Sequence, residues 1–384
     1  MGPYRHVTEA ASTKTIRKGL IFGGNGNIGS STVLRLIAKG DKITIANRGN
    51  WYWDTKTTIK PHVQHYKCDR LKSLAEDCPE LYEFISRNTF DYVIDFSGLN
   101  KKAVEQATQA LKGRARRYVY ISRDYVYDAC TKERGQFSKE EDVLNLKDHM
   151  HEHDDSRLSK AHRVLGAEEA LKTQRENGGI PYLIIRSPDV IGPRDTTYRW
   201  CVYQMGVKVA TTLKKVAIPS HLVTYNMSLV YVEDLAAAIV QVVELGNQVL
   251  DQAFNLAWPE PVTLKQMVQT MVEEMGYDDA DGRIDDSQMG APYFYPSVVS
   301  GPLNVSKAER ILGWKPTPFR DAVRATVDFY NDVMTGSTFT IQKDEIVQVV
   351  AGQVFRDDNM AFYKAIQSAY NIDLSHFTHV HQEL

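Results

Sequence analysis

A glycine-rich turn near the start of the sequence sets the strongest limit on the folds that this chain can adopt. The residues FGGNGNIG at positions 22–29 stand between a short apolar run at 18–23 and an amphipathic stretch at 30–39 that Gly40 ends. Glycine in such a turn permits a sharp change of direction after a strand, and it lets the N–H groups of the following helix approach an anion. The turn therefore predicts a phosphate-binding strand–turn–helix unit whose contacts are Gly23, Gly26, Asn27, Ile28 and Gly29.

Strand and helix patterns then alternate along the first half of the chain. Apolar and β-branched runs predict strands at 18–23, 42–46, 62–66, 91–96, 117–122 and 181–186. Apolar residues at helical spacing predict helices at 30–39, 71–87, 101–111 and 161–175. Nearly continuous apolar strands separated by helices are typical of a parallel sheet that is covered on both faces. The predicted fold class is α/β, a Rossmann-type doubly wound parallel sheet with a smaller C-terminal substrate lobe and a helical C-terminal extension.

The change of pattern along the chain predicts its domain organisation. Residues 1–17 are polar and are expected to form an N-terminal arm, and residues 18–190 form the dinucleotide-binding domain. Within that domain, the polar and His-rich segment around 129–158 interrupts the alternation and is interpreted as an insertion or lid. Residues 191–334 are expected to form a substrate lobe interleaved with the Rossmann domain, and residues 335–384 a helical C-terminal extension.

Composition narrows the cellular setting. The formal net charge of −2 gives no long-range field for a nucleic acid or an anionic membrane. No apolar run approaches the length of a membrane span. Cys68, Cys78, Cys130 and Cys201 lack the spacing of a metal site, so we expect free thiols in a reducing compartment. We therefore predict a cytoplasmic protein with no membrane association and no nucleic-acid partner.

Two polar segments have compositions that could serve other functions. His149, His151 and His153 would point the same way in an extended strand and could bind a metal. A solvated loop, or a lid over the substrate site, is favoured instead, and no metal site is predicted. The basic run at 112–117 is interpreted as a solvated helix end rather than a contact for RNA.

The end of the second predicted strand indicates which dinucleotide is bound. Sites for NAD(H) usually carry Asp or Glu there, but this chain has Asn47 and Arg48. A guanidinium can hold a 2′-phosphate through charge-assisted hydrogen bonds. We therefore expect NADP(H) in preference to NAD(H), with a solvated turn as the other interpretation of Arg48. Trp51 and Trp53 follow these two residues closely in the sequence, and they either flank the adenine or pack against the domain.

Several motifs follow one another over about residues 18–330: the glycine turn, YIS at 120–122 with VY at 126–127, RSPDVIGPR at 186–194, VYVEDLA at 230–236, FNL at 254–256 and WKP at 314–316. Their order and spacing give the chain a resemblance to the extended short-chain dehydrogenase/reductase superfamily, in its NAD-dependent epimerase/dehydratase-like branch. It implies a homodimer and further cofactor contacts at Asp69, Arg70, Ser97, Gly98, Lys160, Pro188 and Val190.

One expected motif is missing. Members of this superfamily use a Ser or Thr together with Tyr and Lys spaced as YxxxK, but this chain has no such pair before Pro181. One alignment puts Lys160 at the Tyr position, and a shift by four residues makes it the family Lys. The usual Ser position holds Arg123, one residue after Ser122. The candidate catalytic residues are Lys160, Ser122 and Tyr125, and His162 is a further replacement for the Tyr.

The expected function is that of an atypical NADP(H)-dependent oxidoreductase, reductase- or epimerase-like, that acts on a small molecule with a rearranged acid/base site. Candidate substrate contacts are Arg123, Arg194 and Tyr198. The alternative is a non-catalytic NADP(H)-binding regulatory or RNA-associated protein of the same fold, since function must be argued from the site and not from the fold.

Overall fold

A seven-stranded parallel sheet forms the centre of the molecule. The computed structural model describes residues 16–133, 135–144 and 157–379. The strands, numbered in chain order, are β1 Lys18–Phe22, β2 Lys42–Asn47, β3 Gln64–Lys67, β4 Tyr92–Asp95, β5 Tyr118–Arg123, β6 Tyr182–Ser187 and β7 Gln252–Asn255. Their order in the sheet is β7-β6-β5-β4-β1-β2-β3, and every neighbouring pair is parallel. The predicted Rossmann-type fold is confirmed.

Helices cover the sheet and build the second lobe. The longer ones are α1 Asn27–Ala38, α2 Pro79–Arg87, α3 Lys101–Ala110, α4 Arg157–Glu176, α5 Arg199–Val209, α6 Val232–Val242, α7 Leu264–Glu274, α8 Ser306–Leu312, α9 Phe319–Thr335, α10 Thr340–Val354 and α11 Asn359–Tyr370. Short helices lie at Thr55–Thr58, Leu74–Asp77, Ala280–Arg283 and Ser375–His379. Turns of 3-10 helix lie at Lys60–His62, Asp124–Ala129, Glu140–Leu144, Ser220–Leu222, Asn247–Val249 and Arg356–Asp358.

Both faces of the sheet are buried, as its apolar strands predict. Helices α1 and α6 pack together on one face, and α3 packs against α4 on the other. Strand side chains alternate between the two cores, so Ile21 faces the first and Leu20 the second. The chain crosses the sheet in opposite directions from β1, first to β2 and later to β4. Ligands of such folds bind at this switch point, in the crevice beyond the carboxyl ends of the strands.

The predicted helix at 71–87 is broken into two. The short helix Leu74–Asp77 ends at Cys78, and Pro79 begins α2. Proline disfavours helical backbone in the residue before it, and Cys78 has non-helical dihedral angles. Cys78 is joined to Cys68 by a disulfide bond, so the expectation of four free thiols is wrong for this pair. Cys130 and Cys201 are free and buried.

Residues after 190 contribute to both parts of the molecule. Helix α6 and strand β7 lie on the central sheet, whereas α5, α7 and α9 enclose a separate core. Helices α10 and α11 pack against α5 and extend the same core, so the C-terminal residues are an integral part of the lobe. Three two-stranded pairs complete it: Asp189–Ile191 with Leu229–Tyr231, Asn226–Met227 with Val262–Thr263, and Val216–Ala217 with Ile284–Asp285.

The segment predicted as an insertion is partly packed against the sheet. The backbone N–H of Asn255 in β7 donates to Glu140 Oε1 at 2.8 Å, and the Asn255 amide group donates to the carbonyl of Ser138 at 3.0 Å. His149, His151 and His153 lie outside the described residues, as does most of the N-terminal arm. Over the part of the chain that the structure describes, no helix is long and apolar enough to cross a membrane.

Candidate functional site

Two cavities meet at the glycine turn, at the carboxyl ends of the strands. The larger has a volume of about 350 Å³ and extends towards β5, β6 and the second lobe. The smaller, of about 160 Å³, lies over the ends of β2, β3 and β4. Gly23, Asn25 and Tyr52 line both. The two cavities, which share this wall across the switch point of the sheet, are together called the trough, and they can hold the two halves of an extended ligand.

The turn brings backbone close to the trough. A Cβ atom built on Gly29 would lie 2.7 Å from the Cα atom of Gly24, so the helix can begin this close to the turn only with glycine there. A Cβ atom on Gly26 would meet nothing within 4 Å, and Gly26 lines the larger cavity. The empty space beside Gly26 is the space that a pyrophosphate would occupy at the N-terminus of α1. Asn27, Ile28 and Gly29 line the same cavity.

The end of β2 forms one wall of the smaller cavity. The side-chain oxygen of Asn47 accepts the backbone N–H of Gly49 at 2.8 Å and lies 2.9 Å from Nε2 of His65. The Nδ2 atom of Asn47 is buried without a partner. Arg48 is exposed at the cavity, and within the described ranges no acidic side chain forms an ion pair with it. This wall therefore offers an unused amide donor beside an available guanidinium.

The opposite wall is built from the ends of β3 and β4. Arg70 is buried, donates to Asp95 at 3.1 Å and to the carbonyl of Ala103 at 2.7 Å, and its guanidinium lies 3.8 Å from the ring centre of Phe22. Asp69 and Ser97 line this cavity with Arg70. Arg70 thus holds the wall in place as well as lining it.

Gly98 does not line the smaller cavity, but it shapes the wall. A Cβ atom there would lie 2.8 Å from a carboxylate oxygen of Asp95 and 2.9 Å from a methyl group of Val104. Its carbonyl accepts the hydroxyl of Tyr120 at 2.7 Å. Close packing therefore explains a glycine at this position.

Three large side chains at the mouth of the smaller cavity are unusually exposed for their type. Tyr52, Leu71 and Leu99 are 37%, 54% and 45% exposed. A planar base inserted between them would remove apolar surface from water. Trp53 does not take part, because it packs in the second lobe at 5.5 Å from Phe329.

Unsatisfied polar atoms provide a test of whether a dinucleotide fits. Buried polar atoms normally have hydrogen-bond partners, because leaving one unmade costs about 1–3 kcal/mol. Asn27 Oδ1, Asn47 Nδ2 and Arg70 Nη1 are buried without partners, and all three residues line the two cavities. A ligand with hydroxyl and phosphate groups would supply those partners, so the residues present fit a nicotinamide dinucleotide.

The larger cavity holds the remaining predicted site residues at the ends of β5 and β6. Arg123, Tyr125, Pro188 and Val190 line it, with Arg123 exposed and Tyr125 half-buried. Ser122 also lines it, but its hydroxyl is fully buried and donates to Glu168 Oε1 at 2.6 Å. Ser122 is therefore engaged beneath the cavity floor and is not positioned as a free proton donor.

Other predicted residues lie elsewhere. Lys160 is exposed in the first turn of α4 and lines neither cavity, and the same helix places His162 outside both. Arg194 forms a bidentate ion pair with Asp54 at 2.7 and 2.8 Å. These three residues are not brought to the cavity where sequence reasoning expected them.

Tyr198 is also directed away from the cavity. Its hydroxyl donates to Glu345 Oε2 at 2.5 Å, and its ring lies 6.0 Å from that of Trp53. Both contacts join α5 to the second lobe and its C-terminal helices. The residue therefore serves the packing of the lobe in this structure.

Acidic and basic side chains that sequence reasoning missed line the larger cavity. They are Asp124, Asp189, Asp195 and Arg199. Asp189 is held by Arg199 at 2.7 Å and by the hydroxyl of Ser297 at 2.5 Å. Asp124 directly follows β5, next to two residues that were singled out, so its place at a strand end was the signal that could have revealed it.

The fold and this two-part site define a dinucleotide-binding enzyme class. Residues 19–257 match the profile of the NAD dependent epimerase/dehydratase family. The chain belongs to that family, and the predicted short-chain dehydrogenase/reductase type is confirmed. Within the described ranges no three His, Cys, Asp or Glu side chains are grouped to hold a metal ion.

Individual relatives are distant. Chloroplast stem-loop binding protein of 41 kDa b from Arabidopsis thaliana is 23% identical over 356 residues, which cover 87% of this chain and 83% of the relative. The UDP-glucose 4-epimerase of Thermotoga maritima, solved with UDP-glucose, is 19% identical with a TM-score of 0.63, covering 83% of this chain and 99% of that one. The dTDP-glucose 4,6-dehydratase of Bacillus anthracis, solved with NAD, is 18% identical with a TM-score of 0.63, covering 82% and 97%. These likenesses support the fold and leave the reaction to be argued from the site.

Proposed function

We propose that the protein is an NADP(H)-dependent oxidoreductase that acts on a small carbonyl compound or the corresponding alcohol. The observation that carries the proposal is the end of β2, where Arg48 and the unused amide of Asn47 replace the carboxylate usual in NAD(H) sites. A carboxylate would repel a 2′-phosphate, whereas these two groups can donate hydrogen bonds to it.

The other residues of the trough have matching tasks. The Gly23–Gly29 turn would hold the pyrophosphate, and Asp69 with Leu71 would contact the adenine. Pro188 and Val190 would border the nicotinamide, whose chemistry is hydride transfer. The chain's own contribution is to orient the two reactants, exclude water and handle a proton.

The charges of the larger cavity favour an uncharged substrate. Arg199 is neutralised by Asp189, and Arg194 by Asp54 outside the cavity. Arg123 is the remaining cation among the lining residues and is exposed. A diphosphate-bearing substrate would need arginines that are not already paired, so a small polar molecule without phosphate is the better match.

A binding titration tests the cofactor assignment. We expect NADPH to bind more tightly than NADH, and Arg48→Ala to weaken NADPH binding by roughly 10- to 150-fold, from the strength of a charge-assisted hydrogen bond. Binding of NADH should change little, because it lacks the 2′-phosphate. The matched control is Arg116→Ala, an exposed arginine just before the amino end of β5 that lines neither cavity.

Two results would contradict the proposal. Preference for NADH, or equal weakening of both cofactors by Arg48→Ala, would remove the phosphate contact. No binding of either dinucleotide would remove the oxidoreductase assignment itself.

A second candidate is RNA binding, which the name of the Arabidopsis relative suggests. The local geometry favours it less. In the basic run, Arg117 donates to the carbonyls of Val242 and Leu245 at 3.0 and 2.6 Å, and Arg116 pairs with Asp91 at 3.4 Å. A gel-shift titration with a stem-loop RNA at two salt concentrations tests it, and tight binding at physiological salt would favour the RNA function.

A further inference from the structure

Asp124 lies at the carboxyl end of β5, on the wall of the larger cavity. It is the first residue after the strand, is 5% exposed, and lines the larger cavity together with the glycine turn. The carboxyl ends of β1 and β5 therefore bring an acidic side chain and the phosphate-binding turn to one cavity. The predicted candidates Lys160 and Ser122 do not provide such a group, because the first lies outside and the second is bound to Glu168.

The other carboxyl groups of the cavity are already committed. Asp189 accepts hydrogen bonds from Arg199 and from the backbone and hydroxyl of Ser297. Asp195 accepts the backbone N–H and the hydroxyl of Thr197 at 2.8 and 2.6 Å. In the described part of the chain no side chain donates a hydrogen bond to the carboxyl group of Asp124.

The surroundings of Asp124 favour its protonated form. Burial raises the pKa of the Asp124 carboxyl well above its usual range, and the negative charges of Asp189 and Asp128 raise it further. The positive charge of Arg123 and the backbone N–H of Asp124 itself lower this pKa, but they do not cancel the rise. The cavity also contains Asp195, Tyr125 and the paired guanidinium of Arg199.

We propose that Asp124 is the catalytic acid–base residue of this cavity and takes the role that a tyrosine has in the typical site. The proposal rests on the oxidoreductase function above. In the direction of reduction, the carbonyl carbon of the substrate accepts a hydride with its two electrons from NADPH, which is oxidised to NADP⁺. The C=O π electron pair moves to oxygen, which takes the proton of the Asp124 carboxyl group. The resulting carboxylate is reprotonated by water, and the reverse sequence oxidises the alcohol.

The first test needs no substrate. Because the folded chain retains the Asp124 proton while the unfolded chain releases it, folding becomes less favourable as pH rises from about 3.9, the usual Asp value, towards the raised pKa. Asp124→Asn removes this cost, so the variant should be more stable than the native protein at pH 8 and should lose that advantage near pH 4. Urea unfolding at both pH values measures it, with exposed Asp328→Asn on α9 as the control.

The second test measures turnover. NADPH oxidation is followed with a panel of small aldehydes, ketones and quinones. Asp124→Asn should lower kcat by at least about 100-fold, as expected for loss of a general acid, with NADPH affinity within threefold of native. Tyr125→Phe, which removes the neighbouring phenol, tests the rival donor.

The outcomes separate the two proposals. Failure of native protein to bind NADPH would overturn the proposed function, whatever the stability data show. An Asp124→Asn variant with no pH-dependent gain in stability would overturn the acid–base role of Asp124. A kcat that falls 100-fold in Tyr125→Phe and less than tenfold in Asp124→Asn would also overturn it and assign the proton to Tyr125.

Discussion

The buried ion pair between Arg186 and Glu168 should contribute strongly to the ordering of the strands beneath the larger cavity. Both side chains are 1% exposed, and they meet through two hydrogen bonds of 3.0 and 2.7 Å. The same guanidinium donates to Tyr127 and to the carbonyl of Glu140, each at 2.9 Å. Glu168 also accepts the hydroxyl of Ser122. One carboxylate therefore joins α4 to β5 and β6.

Replacing Glu168 by Gln should destabilise the protein strongly. The variant leaves the Arg186 charge buried without its counter-charge, and breaking a buried pair in this way costs about 3–5 kcal/mol. That is a large part of the roughly 5–15 kcal/mol that keeps a typical protein folded. Urea unfolding, followed by circular dichroism and by tryptophan fluorescence, measures the loss and shows whether the two signals coincide as a two-state transition requires.

A double variant separates the charge effect from packing. In Glu168→Leu/Arg186→Met both charges are gone, and Tyr127 keeps the hydrogen bond that it donates to Asn255 at 2.7 Å. The carbonyl of Glu140 loses one donor, at a cost of about 1–3 kcal/mol. The double variant should therefore be clearly more stable than the summed losses of its two component variants, Glu168→Leu and Arg186→Met, predict. A loss below about 1 kcal/mol in Glu168→Gln, or additive losses in the double variant, would refute this reasoning.

Two further predictions concern the cofactor trough. Gly26→Ala should fold normally and bind NADPH at least about tenfold more weakly, because its methyl group enters open space beside the turn. Gly29→Ala should lower the melting temperature, because its methyl group would lie 2.7 Å from the Cα atom of Gly24. Thermal melts and NADPH titrations of both variants distinguish these effects, and normal NADPH binding by Gly26→Ala would contradict the first prediction. A third prediction concerns the disulfide bond: Cys78→Ser, or a reductant added to native protein, should lower the free energy of unfolding by about 2–3 kcal/mol, because the bond to Cys68 closes a short loop. If the reductant also destabilises Cys78→Ser, a cause other than this disulfide is responsible.

The local parts of the fold could be predicted because short patterns decide them. The strand at 42–46 and the helix at 101–111 lie within one residue of β2 and α3, since apolar runs and helical spacing are properties of neighbouring residues. Helix α1 begins at Asn27, three residues before the predicted start, because the end of the glycine turn already has helical geometry. The prediction of one helix at 71–87 is wrong because Pro79 disfavours helical backbone at Cys78.

The two halves of the site differ in how much the sequence reveals. Asn47 ends β2, Arg48 follows it, and Asp69 lies two residues after β3, so a correct strand prediction also places them at the smaller cavity. The position of Arg194 depends on its pairing with Asp54, which lies 140 residues away in sequence. No local pattern contains that contact. The same is true of the disulfide, which forms only when the end of β3 meets the start of α2.

Asp124 shows a different limit of sequence reasoning. It stands between Ser122 and Tyr125, which the sequence makes candidates to replace the missing tyrosine of the YxxxK motif. What distinguishes Asp124 is its burial near two other carboxyl groups. Asp128 lies in the same 3-10 turn, whereas Asp189 lines the larger cavity from a distant part of the chain. A carboxyl group in solution would be ionised at neutral pH and would be a poor proton donor. Its proposed role arises from the folded environment, so the residue type alone could not indicate it.

The missing YxxxK motif therefore does not by itself imply a loss of chemistry. In the smaller cavity, buried atoms of Asn47 and Arg70 lack partners, as expected of a site whose ligand completes it. In the larger cavity, Asp189 and Asp195 are satisfied by neighbouring side chains, and Asp124 is the carboxyl group left to exchange a proton. A protein that only sensed the dinucleotide would need the first cavity but would gain nothing from a buried acid in the second. Because burying that acid makes folding less favourable at neutral pH, its presence is better explained by a catalytic use.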